Sequence, residues 1–264
     1  MIEIPTSVLT PDIKSRVIGA SFARGCEGET HQIKWLQTGG KSEGKHQNFR
    51  KINKVATYGI LRGSDKYLKK ANEYWYIDHG YFGKGNPAKF NGYYRITQNS
   101  IMHDGFGDYP WDRFNKLNSE LKEWRKTGSH IVLLPPSAFM GAFLGYDTDD
   151  WINHTTDRLR KHTDREIVIS KKNHNPLKKC LQDAWVVVAD HSNAQIEALL
   201  NGIPVICTNN ARKIGSLDQI ENPTMERDYL RNLAYQQWNI KEIENGQAWG
   251  ELKEHYQDRK LHGK

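Results

Sequence analysis

Short apolar runs without polar alternation recur through the second half of the chain, each stopped by Pro, Gly or charged residues. They are HIVLLPP at His130–Pro136, EIVISKK at Glu166–Lys172, WVVVAD at Trp185–Asp190 and IPVIC at Ile203–Cys207. Between the first two, Asp150–His162 places Trp151, His154 and Leu159 near helical spacing, with a basic side turned outward. Continuous Val/Ile strands alternating with helices predict a parallel sheet covered on both faces. The first half is similar but less regular. Lys54–Ile60, Glu73–Gly80 and Tyr93–Asn99 read as strands, and Gly63–Asn72 as an intervening helix with Ser64 or Asp65 as its N-cap. In Trp111–Lys126, Phe114, Leu117, Leu121 and Trp124 recur at helical intervals, which predicts an amphipathic helix. The expected organisation is a reduced N-terminal domain over 1–127, a second domain over 128–223 and a helical tail over 224–264. A chain of 264 residues can bury a core in each of two such domains.

One stretch breaks this pattern. In VVVADHSNAQIEALLNGIPVIC, Val186–Cys207, an apolar strand gives way to Asp-His-Ser-Asn, then a short helix, then another apolar strand. Ser192-Asn193-Ala194-Gln195 has the form of a capping box, with Ser192 as N-cap and Gln195 reaching back. Gly202 falls where a helix end takes a left-handed residue, and Pro204 blocks continuation. The carboxyl end of a parallel strand opens onto the ligand crevice of such sheets, and a helix start there suits phosphate. Ser192 as a plain cap is the alternative. Two features favour a nucleotide: Glu197 is a carboxylate on a largely apolar helix, able to hold ribose hydroxyls, and Lys171 and Lys172 end the neighbouring strand.

Composition and charge narrow the partners. The net charge of +7 fits attraction to a polyanion or phosphorylated ligand as well as a solvated basic surface. Gly39–Lys54 concentrates it, with Lys41, Lys45, Arg50, Lys51 and Lys54 against Glu43 alone. Cys26, Cys180 and Cys207 have neither metal-ligand spacing nor a disulfide framework, which fits a reducing cytoplasm. No apolar run approaches the roughly 18–20 residues of a membrane span, and the N-terminus lacks the basic-then-apolar order of a secretory signal. GxSxG, P-loop and GxGxxG motifs are absent, so hydrolase, ATPase and hydride-transfer readings have little support.

The segment SNAQIEALLNGIPVIC resembles the donor site of glycosyltransferases with two Rossmann-like domains facing a cleft, the GT-B architecture. The tail ENPTMERDYLRNLAYQQWNIKEIENGQAW and the stretch WYIDHGYF…YYRIT resemble glycosyltransferase-like proteins of bacteriophages and bacterial polysaccharide loci. The resemblance implies an α/β fold of two parallel-sheet domains and a nucleotide-sugar co-substrate, UDP-glucose or a relative. It further implies that Ser192 and Asn193 meet the diphosphate, Glu197 the ribose, and Lys171 or Lys172 a phosphate, with His191 also in the donor site and Ser137 on another wall of the donor pocket.

Transfer to a hydroxyl needs a base, and strand ends in the first half offer candidates. Asp78 and His79 stand before Gly80, so His79 oriented by Asp78, or Asp78 alone, fits the role; turn capping and aromatic packing would also explain them. Asp104, with His103 and Asp108, lies in a Gly-rich loop whose turn chemistry alone also accounts for it. Asp147-Thr148-Asp149 has the DxD form of a metal motif but stands before a helix, where Asp and Thr are preferred caps. The expectation is therefore transfer without a metal. The basic loop, together with Arg62, suggests double-stranded DNA as acceptor, specifically a hydroxymethylated pyrimidine such as 5-hydroxymethylcytosine in phage DNA, acting in the host cytoplasm. A polysaccharide-building transferase and a non-catalytic nucleotide- or nucleic-acid-binding protein are the alternatives.

Overall fold

The computed structural model describes residues 6–9, 13–31, 35–38, 41–44, 53–61, 63–83, 85–86, 89–105, 107–117, 120–171, 175–209 and 214–261. In chain order the elements begin β1 (Ser7–Leu9), α1 (Ile13–Gly25), β2 (Glu29–His31), β3 (Trp35–Thr38), β4 (Lys41–Gly44), β5 (Lys54–Tyr58), α2 (Ser64–Leu68), β6 (Glu73–His79) and β7 (Tyr93–Gln98). They continue with α3 (Asp112–Lys116), β8 (His130–Leu134), α4 (Ala138–Leu144), α5 (Thr148–Leu159), β9 (Glu166–Ile169), α6 (Leu177–Cys180), β10 (Ala184–Ala189), α7 (Ala194–Leu200) and β11 (Val205–Cys207). After a single 3-10 turn (Leu217–Gln219) come α8 (Tyr229–Tyr235), β12 (Gln237–Asn239), α9 (Ile240–Glu244) and α10 (Gln247–Leu261). The chain forms two α/β units, one of 1–101 with 236–264, the other of 102–235. The division thus falls near 101 rather than 127, and residues from 236 onward complete the first unit instead of forming a separate tail.

The first unit holds a six-stranded sheet in the order β12-β7-β6-β5-β1-β2. β2, β1, β5 and β6 are mutually parallel, whereas β7 runs antiparallel to β6 and β12 antiparallel to β7. The reversal follows from the β6–β7 connection, which shows no crossover helix among its described residues; a parallel return requires one in most proteins. β3 and β4 pair as a separate antiparallel ribbon. Val8, Ala56, Ile77 and Ile96 from the sheet pack with Ile18 and Phe22 of α1 and with Ile243, Ala248 and Leu252 of the last two helices. Gln237, fully buried on the edge strand β12, accepts from the N–H groups of Tyr81 (2.7 Å) and Phe82 (2.9 Å) and donates to the Phe82 carbonyl (3.3 Å). It therefore fixes the turn that follows β6. Gln237→Leu strands two buried donors, so urea unfolding should show the unit destabilised by about 2–4 kcal/mol.

α2 covers five residues only, and its N-cap is Gly63 at φ +83°, not Ser64 or Asp65. The Ser64 hydroxyl instead donates back to the carbonyls of Leu61 (2.8 Å) and Gly59 (3.2 Å), which closes the turn beyond β5.

The second unit has a wholly parallel sheet in the order β11-β10-β8-β9. Val186, Val187, Val188 and Ala189 of β10 and Ile131, Val132 and Leu133 of β8 have no exposed surface, as continuous apolar strands require. α5 turns Ile152, Thr155 and Leu159 inward, so its buried face lies one residue round from the expected Trp151 and His154. The amphipathic helix expected over 111–126 stops at Lys116. Beyond it the backbone pairs elsewhere: Lys122 N–H donates to the Leu200 carbonyl (2.9 Å) and Arg125 N–H to the Gly202 carbonyl (2.8 Å). Trp124 then packs under the Arg227 guanidinium, 4.3 Å from the ring centre. Among the described residues no helix is long and apolar enough to cross a membrane.

Candidate functional site

The carboxyl end of β10 carries a buried, densely hydrogen-bonded carboxylate. Asp190, 5 % exposed, directly follows the strand. Its Oδ2 accepts from His191 Nδ1 at 2.7 Å and from the Tyr146 hydroxyl, and its Oδ1 from the Thr208 hydroxyl at 3.4 Å. The Asp190 backbone carbonyl takes the side-chain amide of Asn209 at 2.9 Å. Burial by itself would raise the Asp190 pKa, but the hydrogen bonds and charge of His191, with those of Tyr146 and Thr208, hold it below the ordinary carboxylate value. The Tyr146 phenol is pushed far up by burial and by the same carboxylate, so it stays protonated as a donor.

The turn beyond, over 191–194, is half-buried. The N-cap of α7 is Asn193, already at helical angles and making no side-chain cap bond. The Ser192 hydroxyl accepts from Ala194 N–H at 3.3 Å, one residue short of the expected capping box. Gln195, fully buried, donates its amide to the Ser192 carbonyl at 2.9 Å instead of accepting from the Ser192 N–H. The buried acceptors Asn193 Oδ1 and Gln195 Oε1 have no donor among the described residues. Glu197 is half-buried in α7. Gly202 takes the left-handed conformation the sequence required, at φ +70°.

Ser137 caps α4, accepting from Met140 N–H at 3.2 Å, and lies at the carboxyl end of the neighbouring strand β8. Lys171 is bound to Asp149 at 3.0 Å, with both side chains substantially exposed. A surface pair of this kind is worth about 0–1 kcal/mol, so a phosphate can compete for the lysine. Asp147 is the N-cap of α5, its Oδ1 accepting from the N–H groups of Asp149 (2.8 Å) and Asp150 (3.1 Å). Asp147 and Asp149 thus serve as cap and ion-pair partner. Among the described residues no group of three or more His, Cys, Asp or Glu side chains is placed to hold a metal ion.

No protein-family model matches the chain, and no curated protein sequence matches it. Among solved structures it is similar to the β-Kdo 2,4 transferase of Thermosulfurimonas dismutans KpsC, with 11 % identity over 92 % of this chain and 98 % of that one and a TM-score of 0.44. It is similar also to the β-Kdo 2,7 transferase of the same protein, with 12 % identity over 93 % of this chain and 99 % of that one and a TM-score of 0.45. At that level of likeness, a functional reading rests on this chain's own residues.

In the first unit, Asp78 and His79 end β6, but not as a base and its orienter. Asp78 Oδ2 accepts from Arg95 Nη2 and from the Tyr76 hydroxyl, both at 2.8 Å, and Asp78 Oδ1 takes the His79 backbone N–H at 2.7 Å. Burial works against the Arg95 charge; Asp78 and the hydroxyls of Tyr81 and Tyr76 outweigh it and hold the guanidinium protonated. The His79 ring is placed instead by the Tyr58 hydroxyl, 2.9 Å from Nε2, and by stacking on Tyr94 at 6.1 Å between centres. Asp104 belongs to a loop clamped by Asn232, whose amide donates to the carbonyls of Gly105 (2.7 Å) and Gly107 (2.8 Å) and accepts from Tyr109 N–H (3.0 Å).

Lys45, Arg50, Lys51, Arg62 and Lys172 lie outside the described residues, and Lys41 is described only as the first backbone position of β4. Asp190, Tyr146, Thr208 and Asn209 were not singled out in the sequence. Asp190 was visible as the polar stop of an apolar strand; Tyr146, 44 residues away, carries no sequence signal that links it to Asp190.

Proposed function

We propose that the chain is a glycosyltransferase that moves a sugar from a nucleotide-sugar donor, of the UDP type, to a hydroxyl acceptor. The observation that carries this reading is the polar turn Asp190–Asn193, set between the end of β10, where Val186–Ala189 have no exposed surface, and the start of α7. In open parallel sheets that is where ligands bind, and hydroxyl and amide groups at such a turn suit a diphosphate. Ser192 is the diphosphate contact in this reading, with Lys171 released from its weak surface pair. Glu197 and the unengaged acceptor Asn193 Oδ1 suit hydroxyl donors, which a ribose and a sugar supply. The engagement of Asp147 as a helix cap favours neutralising the leaving diphosphate by cations and N–H groups rather than by a DxD-bound metal.

For the acceptor, the net charge of +7 and the basic run Gly39–Lys54 favour DNA carrying a hydroxymethylated pyrimidine. Incubation with labelled UDP-sugars, hydroxymethylcytosine DNA and carbohydrate acceptors tests both levels. Label in the DNA is the expected result. Label in carbohydrate alone removes the DNA acceptor and keeps the enzyme class; no label anywhere, with no UDP binding, removes the class.

A further inference from the structure

The base was expected at the end of β6, yet neither candidate there is built for it. Asp78 is neutralised by a buried arginine, and among the described residues the His79 ring bonds a phenol rather than a carboxylate. The arrangement such a base needs lies in the other unit, at Asp190 and His191.

We propose that His191 is the general base that takes the proton from the acceptor hydroxyl, with Asp190 and Tyr146 as the residues that position it; this rests on the transferase reading above. A carboxylate 2.7 Å from Nδ1 keeps the proton on that nitrogen and leaves the Nε2 lone pair pointing away from Asp190. Tyr146 on Oδ2 and Thr208 on Oδ1 stop the carboxylate from turning, and Asn209 ties down the backbone carbonyl of the same residue. Asp190 is 7 % exposed at its side chain and His191 15 %, so the carboxylate is shielded while the ring reaches the surface. Its Nε2 is bonded to none of the described residues. His191 also adjoins Ser192, so the base and the donor's phosphate contact occupy neighbouring positions of one turn. In the step itself the acceptor O–H bond breaks and its proton passes to Nε2. The acceptor oxygen bonds to the anomeric carbon, and that carbon's bond to phosphate breaks with the electron pair leaving on the nucleoside diphosphate.

His191→Ala is expected to lower kcat for transfer by about 10²–10⁴-fold, with donor affinity nearly unchanged and partial recovery in imidazole buffer. Asp190→Asn preserves the shape but presents an amide N–H to Nδ1, moving the ring proton to Nε2; kcat should fall without a matching change in donor Kd. Nitrogen-15 spectra of the wild type should show the Nδ1–H tautomer, lost in Asp190→Asn. Donor affinity falling in step with kcat, without imidazole rescue, would make His191 a phosphate ligand and overturn the inference. An Nε2–H tautomer in the wild type would overturn it too, whether or not transfer is observed. A wild type that binds no UDP and transfers no sugar defeats the transferase reading separately.

Discussion

Asp78→Ala is expected to destabilise the first unit by about 3–5 kcal/mol, because it leaves Arg95 charged and buried without a counter-ion. The Arg95 side chain is only 5 % exposed, so the guanidinium sits largely out of water and depends on the Asp78 carboxylate. The rings of Tyr76 and Tyr81, with centres 5.7 and 5.5 Å from the guanidinium, close the remaining sides. Urea unfolding followed through Trp75, Trp238 and Trp249 reports on this unit. Asp78→Leu combined with Arg95→Met should recover much of the loss, since an apolar pair of similar volume needs no counter-charge. A catalytic Asp78 would behave differently: activity would vanish in Asp78→Ala with the unfolding midpoint unchanged.

Gly202→Ala is the second large effect, expected at about 3–5 kcal/mol from left-handed strain and overpacking together. Gly202 sits at φ +70°, and a Cβ there would lie 1.9 Å from the Glu123 carbonyl oxygen and 3.2 Å from that of Lys122. Those atoms belong to the backbone whose N–H groups bond Leu200 and Gly202, so neither partner can retreat without breaking the other's hydrogen bonds. Thermal unfolding should show the loss, and Gly145→Ala provides the control: it has φ +90° but open space where the Cβ would go. Similar losses at both positions would mean that the close approach to Glu123 contributes nothing.

The second unit's strands were legible because a strand buried on both faces is written as an uninterrupted Val/Ile run, and β8 and β10 are such runs. The residues 111–126 show where periodicity misleads. Phe114 and Leu117 are buried and Trp124 lies under the Arg227 guanidinium, but the backbone past Leu117 bonds to the α7–β11 turn, a tertiary contact that no local pattern encodes. β12 is a three-residue edge strand whose Gln237 is buried for hydrogen bonding, so its single apolar residue, Trp238, makes too short a pattern to mark it. The orientation of β7 depended on the lack of a crossover helix rather than on its own composition. At the site, the Asp-His-Ser-Asn break pointed to the right strand end, but Ser192 and Gln195 matched a capping pattern that the folded turn does not make. Asp190 draws its partners from positions 146, 191 and 208, and only the adjacent one was within reach of a sequence motif.

The central question is whether the turn after β10 receives a nucleotide's phosphates. Titrating UDP into nitrogen-15-labelled protein and following the backbone amides asks this directly. The expected result is saturable shifts concentrated at His191, Ser192, Asn193 and Ala194, weakened in Glu197→Ala; saturable shifts elsewhere with these four amides unmoved would contradict it.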